Sequence, residues 1–138
     1  MTVDAAAPLI DDLLEDIQEL FIVEQEAIEE GFAGTLRHLH LRRDRSGPVV
    51  QRIFRKLEDE VGNFSPRSSI AIAMRYILNQ KEELSRFLTN ARIPIHNNAS
   101  ESALRIIALL RKNALVVGHD EGGHHLAILL SVRDLPPA

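Results

Sequence analysis

Cysteine and tryptophan are absent from the 138 residues, and tyrosine occurs once. Without cysteine there is no disulfide framework and no thiol for redox or metal chemistry, which suits a reducing cytoplasm. No apolar run approaches the roughly 20 residues that cross a bilayer. The opening, Met1 to Pro8, lacks a basic stretch followed by an apolar one, so neither a membrane anchor nor an export signal is expected. No phosphate-cradling glycine loop and no Ser/His/Asp arrangement is visible, which argues against a nucleotide-binding fold or a triad hydrolase. A single-domain, soluble, cytoplasmic chain is expected, with 45% apolar residues to supply its core.

Basic residues are missing where acids are densest. Residues 1–34 hold ten Asp or Glu and no Lys or Arg, whereas residues 35–56 hold seven Lys or Arg and one acid, Asp44. The net charge of −4 conceals this division. A basic segment can grip phosphates, and Arg42 and Arg43 are its candidates for that role. The simpler expectation is that the segment packs beside the acidic stretch and neutralises it. Asp11, Asp12, Glu15 and Asp16 are expected on a solvated face.

The apolar spacing predicts helices. Leu9/Ile10, Leu13/Leu14, Ile17, Leu20/Phe21 and Ile28 recur at three and four, giving a helix over 9–30 with Pro8 in its first turn and Gly31 and Gly34 at its stop. A short helical stretch over 35–45 should break at Ser46-Gly47-Pro48. A second helix should run from Pro48 to Gly62-Asn63, and a third from Ser65-Pro66 to about 89, bent near Asn79. Pro94 pushes Ile93 out of the helical region, so 92–95 should be extended. Asn98 then caps a helix to about Lys112, Leu115-Val116-Val117 forms a candidate strand, and a last helix starts near Leu126. The sum is mainly α, with at most two short strands.

The stretch Ile95 to Asn113 carries the most information. With Asn98 as cap, Glu101 falls at the third helical position, where a carboxylate closes a capping box and suits the positive helix end. Arg105, four residues on, is placed to pair with it. Yet Ala103, Leu104 and Ile106 to Leu110 are apolar around almost the whole circumference, as in a helix buried on most sides. A carboxylate at the mouth of such a helix is either well paired or placed to hold a cation.

An ordered series of motifs supports the second option. Ala73 to Gln80, Leu84, Phe87-Leu88, Arg92 to Ile95, Asn97-Asn98, Glu101, Ala103 to Arg105, Arg111 to Asn113 and Gly118 to Gly123 closely resemble the insertion sequence sixty-six family of transposases over roughly residues 35–132. The resemblance implies a ribonuclease-H-like catalytic domain in which two Asp and one Glu hold divalent metals, Mg²⁺ in the family, for in-line attack on a phosphodiester. Glu101 matches the third acid. Residues 1–90 then look like the helical insertion, and 91–138 like the C-terminal part of the catalytic domain, with the central sheet largely missing. Arg105, Arg111 and Lys112 match basic positions of the motif and are candidates for DNA phosphates.

Departures shape the functional expectation. The family's first two acids lie upstream of Met1, His96 stands where many members have Asp, and Ser102 where many have Arg. The chain therefore reads as a truncated transposase, with Glu101 a vestigial acid, no cofactor of its own and no nuclease activity alone. Freed of a sheet, the 103–110 helix should expose an apolar face and drive self-association. One alternative is a DNA-binding or regulatory module that joins a full-length transposase or its own copies. Another is a metal-dependent hydrolase built on His119, Asp120, Glu121, His124 and His125, although this run reads equally as a turn. His38 and His40, two apart, fall on different helix faces and suggest no site.

Overall fold

The computed structural model describes the backbone of residues 3–116 and the side chains of 6–112. Six α-helices follow one another: α1 (Val3–Glu29), α2 (Leu36–Leu41), α3 (Gly47–Val61), α4 (Ser69–Asn79), α5 (Lys81–Ser85) and α6 (Asn98–Val116). A π-helical turn, Arg42–Ser46, joins α2 to α3, and a 3-10 turn, Arg86–Leu88, follows α5. There is no strand among the described residues, so the mainly α expectation holds. Leu115 and Val116, read as part of a strand, instead continue α6. Val117 and the last helix expected near Leu126 lie outside the described residues.

The core forms where the apolar stripes of α1, α3, α4 and α6 meet. Ile10, Leu13, Leu20 and Val23 of α1 are buried, as are Ile53, Phe54 and Leu57 of α3, Ile70, Met74 and Ile77 of α4, and Ala103, Ile106, Ile107 and Leu110 of α6. Burying one such large side chain is worth about 1.5–3 kcal/mol relative to exposure. Helix α6 packs mainly along α1. Its apolar face is therefore covered, contrary to the expectation of an exposed 103–110 surface. Ala108 and Arg105 face outward instead. The large apolar side chains left in solvent, Ile22, Ile28 and Leu36, lie on α1 and α2.

Local chemistry explains the boundaries. Helix α1 ends in a Schellman arrangement, with the Phe32 N–H donating to Ala27 O at 2.9 Å and the Gly31 N–H to Ile28 O at 3.2 Å. That geometry needs a left-handed residue, and Gly31 has φ 78°. Pro8 sits inside α1 rather than at its first turn, because the helix already begins at Val3. The break expected at Ser46-Gly47-Pro48 does not occur. The chain widens into the π turn, closed by the Gly47 N–H on Arg42 O. The wider turn accommodates a proline ring that would clash with the carbonyl four residues back in a regular helix. Helix α4 starts at Ser69, later than expected. Pro66 opens a turn first, and the Ser68 hydroxyl then caps the helix by accepting from the Ala71 N–H at 3.2 Å.

The acidic and basic segments neutralise each other, as the simpler reading of the charge pattern held. Arg45 meets Glu26, Arg37 meets Glu30, and Arg52 bridges Asp16 and Glu19. Lys56 bridges Asp12 and Asp16 at 2.7 and 2.6 Å. Burial works against the Lys56 ammonium, but hydrogen bonds to the two carboxylates outweigh it and raise its pKa. Asp16 corrects the expectation of a wholly solvated acidic face. It is 4% exposed and held between the two cations.

Candidate functional site

The segment leading into α6 turns sharply before the helix begins. Pro94 is exposed, Ile95 is buried in the core, and His96 lies over Phe21 of α1, ring centroids 4.8 Å apart and nearly parallel. The cap is one residue earlier than expected. Asn97 Oδ1 accepts from the Ser100 N–H, and Ser100 Oγ accepts from the Asn97 N–H, both at 3.0 Å. This is a reciprocal capping box with serine in the role assigned to glutamate. The Ser100 hydroxyl also donates to Ile95 O.

That shift changes what Glu101 can do. Its carboxylate is exposed in the first turn of α6 and, among the described residues, has no hydrogen-bond or ion-pair partner. It is not needed to cap the helix, and Arg105 is not paired with it. A carboxylate at this position suits the positive end of the helix dipole. A groove between α1 and the start of α6 is lined by Phe21, Glu24, Gln25, Pro94, His96 and Leu104, and Glu101 is not among its walls. A second hollow, between α1, α3, α4 and α6, is walled by apolar side chains such as Leu20, Phe54, Ile77 and Ile107, with Ser100 at its edge already engaged in the cap of α6.

The candidate phosphate contacts separate into two groups. Arg43, Arg105 and Lys112 are exposed and, among the described residues, engage no acid. Arg111 reaches back to the Asp11 carboxylate of α1 and fastens the far part of α6 instead of facing outward. Arg42 is the clear correction. It is 1% exposed, and its guanidinium binds the Glu24 carboxylate through Nε at 3.0 Å and Nη2 at 2.6 Å. A phosphate cannot reach it in this arrangement.

Sequence reading also missed His38, which is buried against the same carboxylate. Its Nδ1 accepts from the Gly34 N–H at 3.0 Å, so in the neutral ring Nε2 carries the proton and donates to Glu24 at 3.1 Å. Burial raises the Glu24 pKa, but the Arg42 hydrogen bonds and charge, with those of His38, overcome this and hold it below the ordinary carboxylate value. The spacing of Glu24, His38 and Arg42 gives no local pattern, because the three meet only when α1 and α2 pack. One sign was available. The interval of four between His38 and Arg42 puts both on one helix face.

Among the described residues no three His, Asp or Glu side chains converge in a way that could hold a metal ion. The single Glu101 carboxylate does not fit a two-metal centre, which needs several bridging acids. The His119–His125 cluster lies outside the described residues.

The family model described as Transposase IS66 family matches residues 2–125. The chain belongs to the IS66 transposase family. Curated relatives in Sinorhizobium fredii include the uncharacterized protein y4qI, 39% identical over 92 residues, which cover 67% of this chain and 17% of the relative. The uncharacterized protein y4jD is 34% identical over 66% of this chain and 18% of its own length. A third, y4hP, is 29% identical over 91% of this chain and 22% of its own length. The chain thus spans about a fifth of the length of the curated relatives it matches. No solved structure matches it. No described helix is long and apolar enough to cross a membrane.

Proposed function

We propose that this chain is the part of an IS66-family transposase that presents one metal-holding carboxylate, Glu101, for DNA strand cleavage, and that it does not cut DNA by itself. The observation that carries the reading is the exposed, unpartnered Glu101 at the start of a firmly docked helix whose cap is already supplied by Asn97 and Ser100. The resemblance to the family's third acid supports this role for the carboxylate. Metal binding then takes further acids from outside residues 3–116, on a ribonuclease-H-like scaffold. Of the candidate phosphate contacts, Arg43, Arg105 and Lys112 are free to meet DNA. Such work places the protein in the cytoplasm, with the DNA.

The test is a chimera. In a longer family member with measurable excision, the matching segment is replaced by residues 2–125 of this chain. Excision should persist, and Glu101→Gln should abolish it. A fully active Glu101→Gln chimera would refute the assignment. The isolated chain should leave supercoiled plasmid intact with Mg²⁺ or Mn²⁺, and metal-dependent nicking lost in Glu101→Gln would overturn the second half of the proposal.

A DNA-binding or regulatory role alongside a full-length transposase is the second reading, favoured by the exposed Arg43, Arg105 and Lys112, which engage no acid among the described residues. It predicts salt-sensitive retention on duplex DNA that Arg43→Glu and Arg105→Glu together weaken. Retention unaffected by these reversals counts against it.

A further inference from the structure

Arg42 reaches much further along the chain than its pair with Glu24. Its Nη1 lies 2.8 Å from Phe87 O, 3.1 Å from Asn90 O and 2.9 Å from Ile93 O. The two N–H groups of Nη1 are therefore shared among three carbonyls. These carbonyls sit three residues apart on a stretch that belongs to no regular element after Leu88, where local turn bonds such as Ile93 N–H to Asn90 O replace a helical ladder. The Phe87 carbonyl is buried and needs a partner, which the buried cation supplies; the same Nη1 also reaches the Ile93 carbonyl and that of Asn90, which accepts from the Ile93 N–H as well. The same guanidinium lies over the Phe87 ring, 5.2 Å from its centroid. Two residues past Ile93, the Ile95 carbonyl is taken by the Ser100 hydroxyl, which belongs to the capping box of α6. Together with the turn bonds from the Ile93 N–H to Asn90 O and the Arg92 N–H to Asn90 Oδ1, Arg42 and Ser100 fasten the connection from Phe87 to the first turn of α6.

We propose that Arg42 is a positioning residue. By gathering the carbonyls of Phe87, Asn90 and Ile93 it fixes where α6 begins, and so where Glu101 stands. The functional meaning rests on the reading of Glu101 given above, whereas the mechanical claim does not. Glu24 and His38 orient the guanidinium, and Glu24 balances its charge. A lysine at this position keeps the charge, but a single nitrogen cannot serve the carboxylate and the three carbonyls together.

Hydrogen exchange on the 138-residue protein tests the mechanical claim. In Arg42→Lys, amides over 88–101 should exchange about tenfold faster or more, while those around Leu57 and Ile77 keep their wild-type rates. Unchanged exchange over 88–101 overturns the proposal. So does uniform acceleration at all sites, which would reduce Arg42 to a contributor to global stability. Should Arg42→Lys fail to fold, Glu24→Gln gives the milder perturbation. It should speed 88–101 severalfold and leave α3 and α4 unchanged, and acceleration confined to α1 and α2 would refute the coupling.

The chimera described above separates the two layers. Arg42→Lys should raise the Mg²⁺ concentration needed for half-maximal excision while leaving retention of the DNA ends unchanged. Local loosening with normal metal dependence overturns the positioning role. An active Glu101→Gln chimera beside the expected exchange pattern removes only the catalytic assignment and leaves Arg42 as the anchor of the turn.

Discussion

Asp16 offers a quantitative test of how the basic segment is used. Its side chain is 6% exposed, while those of Arg52 and Lys56 that hold it are 43% and 23% exposed. The consequences of removing one side or the other are therefore unequal. In Asp16→Ala both cations can turn to solvent or to their second acids, Glu19 and Asp12. The loss is then that of a few charge-assisted hydrogen bonds, about 1–3 kcal/mol. The double variant Arg52→Ala/Lys56→Ala leaves a carboxylate in the interior with no counter-charge, for which about 3–5 kcal/mol is expected. Urea unfolding reads the difference directly. With a slope of about 1–3 kcal/mol per molar for a protein of this size, the double variant should lose on the order of 2 M in midpoint and Asp16→Ala about half of that. Adding Asp16→Asn to the double variant should recover part of the loss. If Asp16→Ala proves the more harmful change, or if all of these cost under about 0.5 kcal/mol as ordinary surface changes do, Arg52 and Lys56 are not committed to α1. They would then have to be counted among the cations available to DNA.

Three further outcomes follow from particular contacts. The Glu24 pKa is lower in the folded protein than in the unfolded chain, so its contribution is present above the unfolded value and is lost as pH falls through the folded one. Urea midpoints of wild type should therefore drop on acidification, and Glu24→Gln should flatten that part of the slope; identical profiles would refute the assignment. Ser100→Ala should cost about 1 kcal/mol through loss of the capping box. Glu101→Gln should cost less, because only its favourable placement at the helix end is lost; equal costs in thermal melts would return Glu101 to a capping role. Ile107→Ala should cost about 2–5 kcal/mol, against under about 0.5 kcal/mol for Ala108→Ser on the outer face, and similar values for the two would show that α6 is not docked as described.

The elements with an amphipathic stripe were legible from spacing alone. The stripe of Val49, Ile53 and Leu57 defines α3, and Ile70, Met74 and Ile77 define α4, because burial on one face imposes the helical period. Punctuation was legible at Gly31, where the left-handed backbone demands glycine. It misled at Ser46-Gly47-Pro48, where a π turn absorbs residues that ordinarily end a helix, and at Leu115-Val116, where β-branching is outweighed by continuation of α6. In the site, Glu101 and Arg105 stand on the helix that sequence reading gave them. The cap was misplaced by one residue because Asn97 and Asn98 are equally good candidates side by side. Arg42 was assigned to the surface on residue type. Its burial depends on Glu24, His38 and three backbone carbonyls, up to 51 positions away, and nothing local to Arg42 encodes that meeting.

The π turn between α2 and α3 acts as a phase adjuster. His38 and Leu57, both buried, are nineteen positions apart in one almost continuous helical rod. At about 100° per residue an unbroken α-helix would leave these two side chains roughly 100° out of line. One additional residue taken up in a wide turn cancels that drift, so the polar end of the rod and its oily end address the same neighbour. A variant shortened by one residue within 43–45 could form a more regular rod. It would then have to choose between its ionic half and its apolar half, and the turn that leads to α6 would lose its hold.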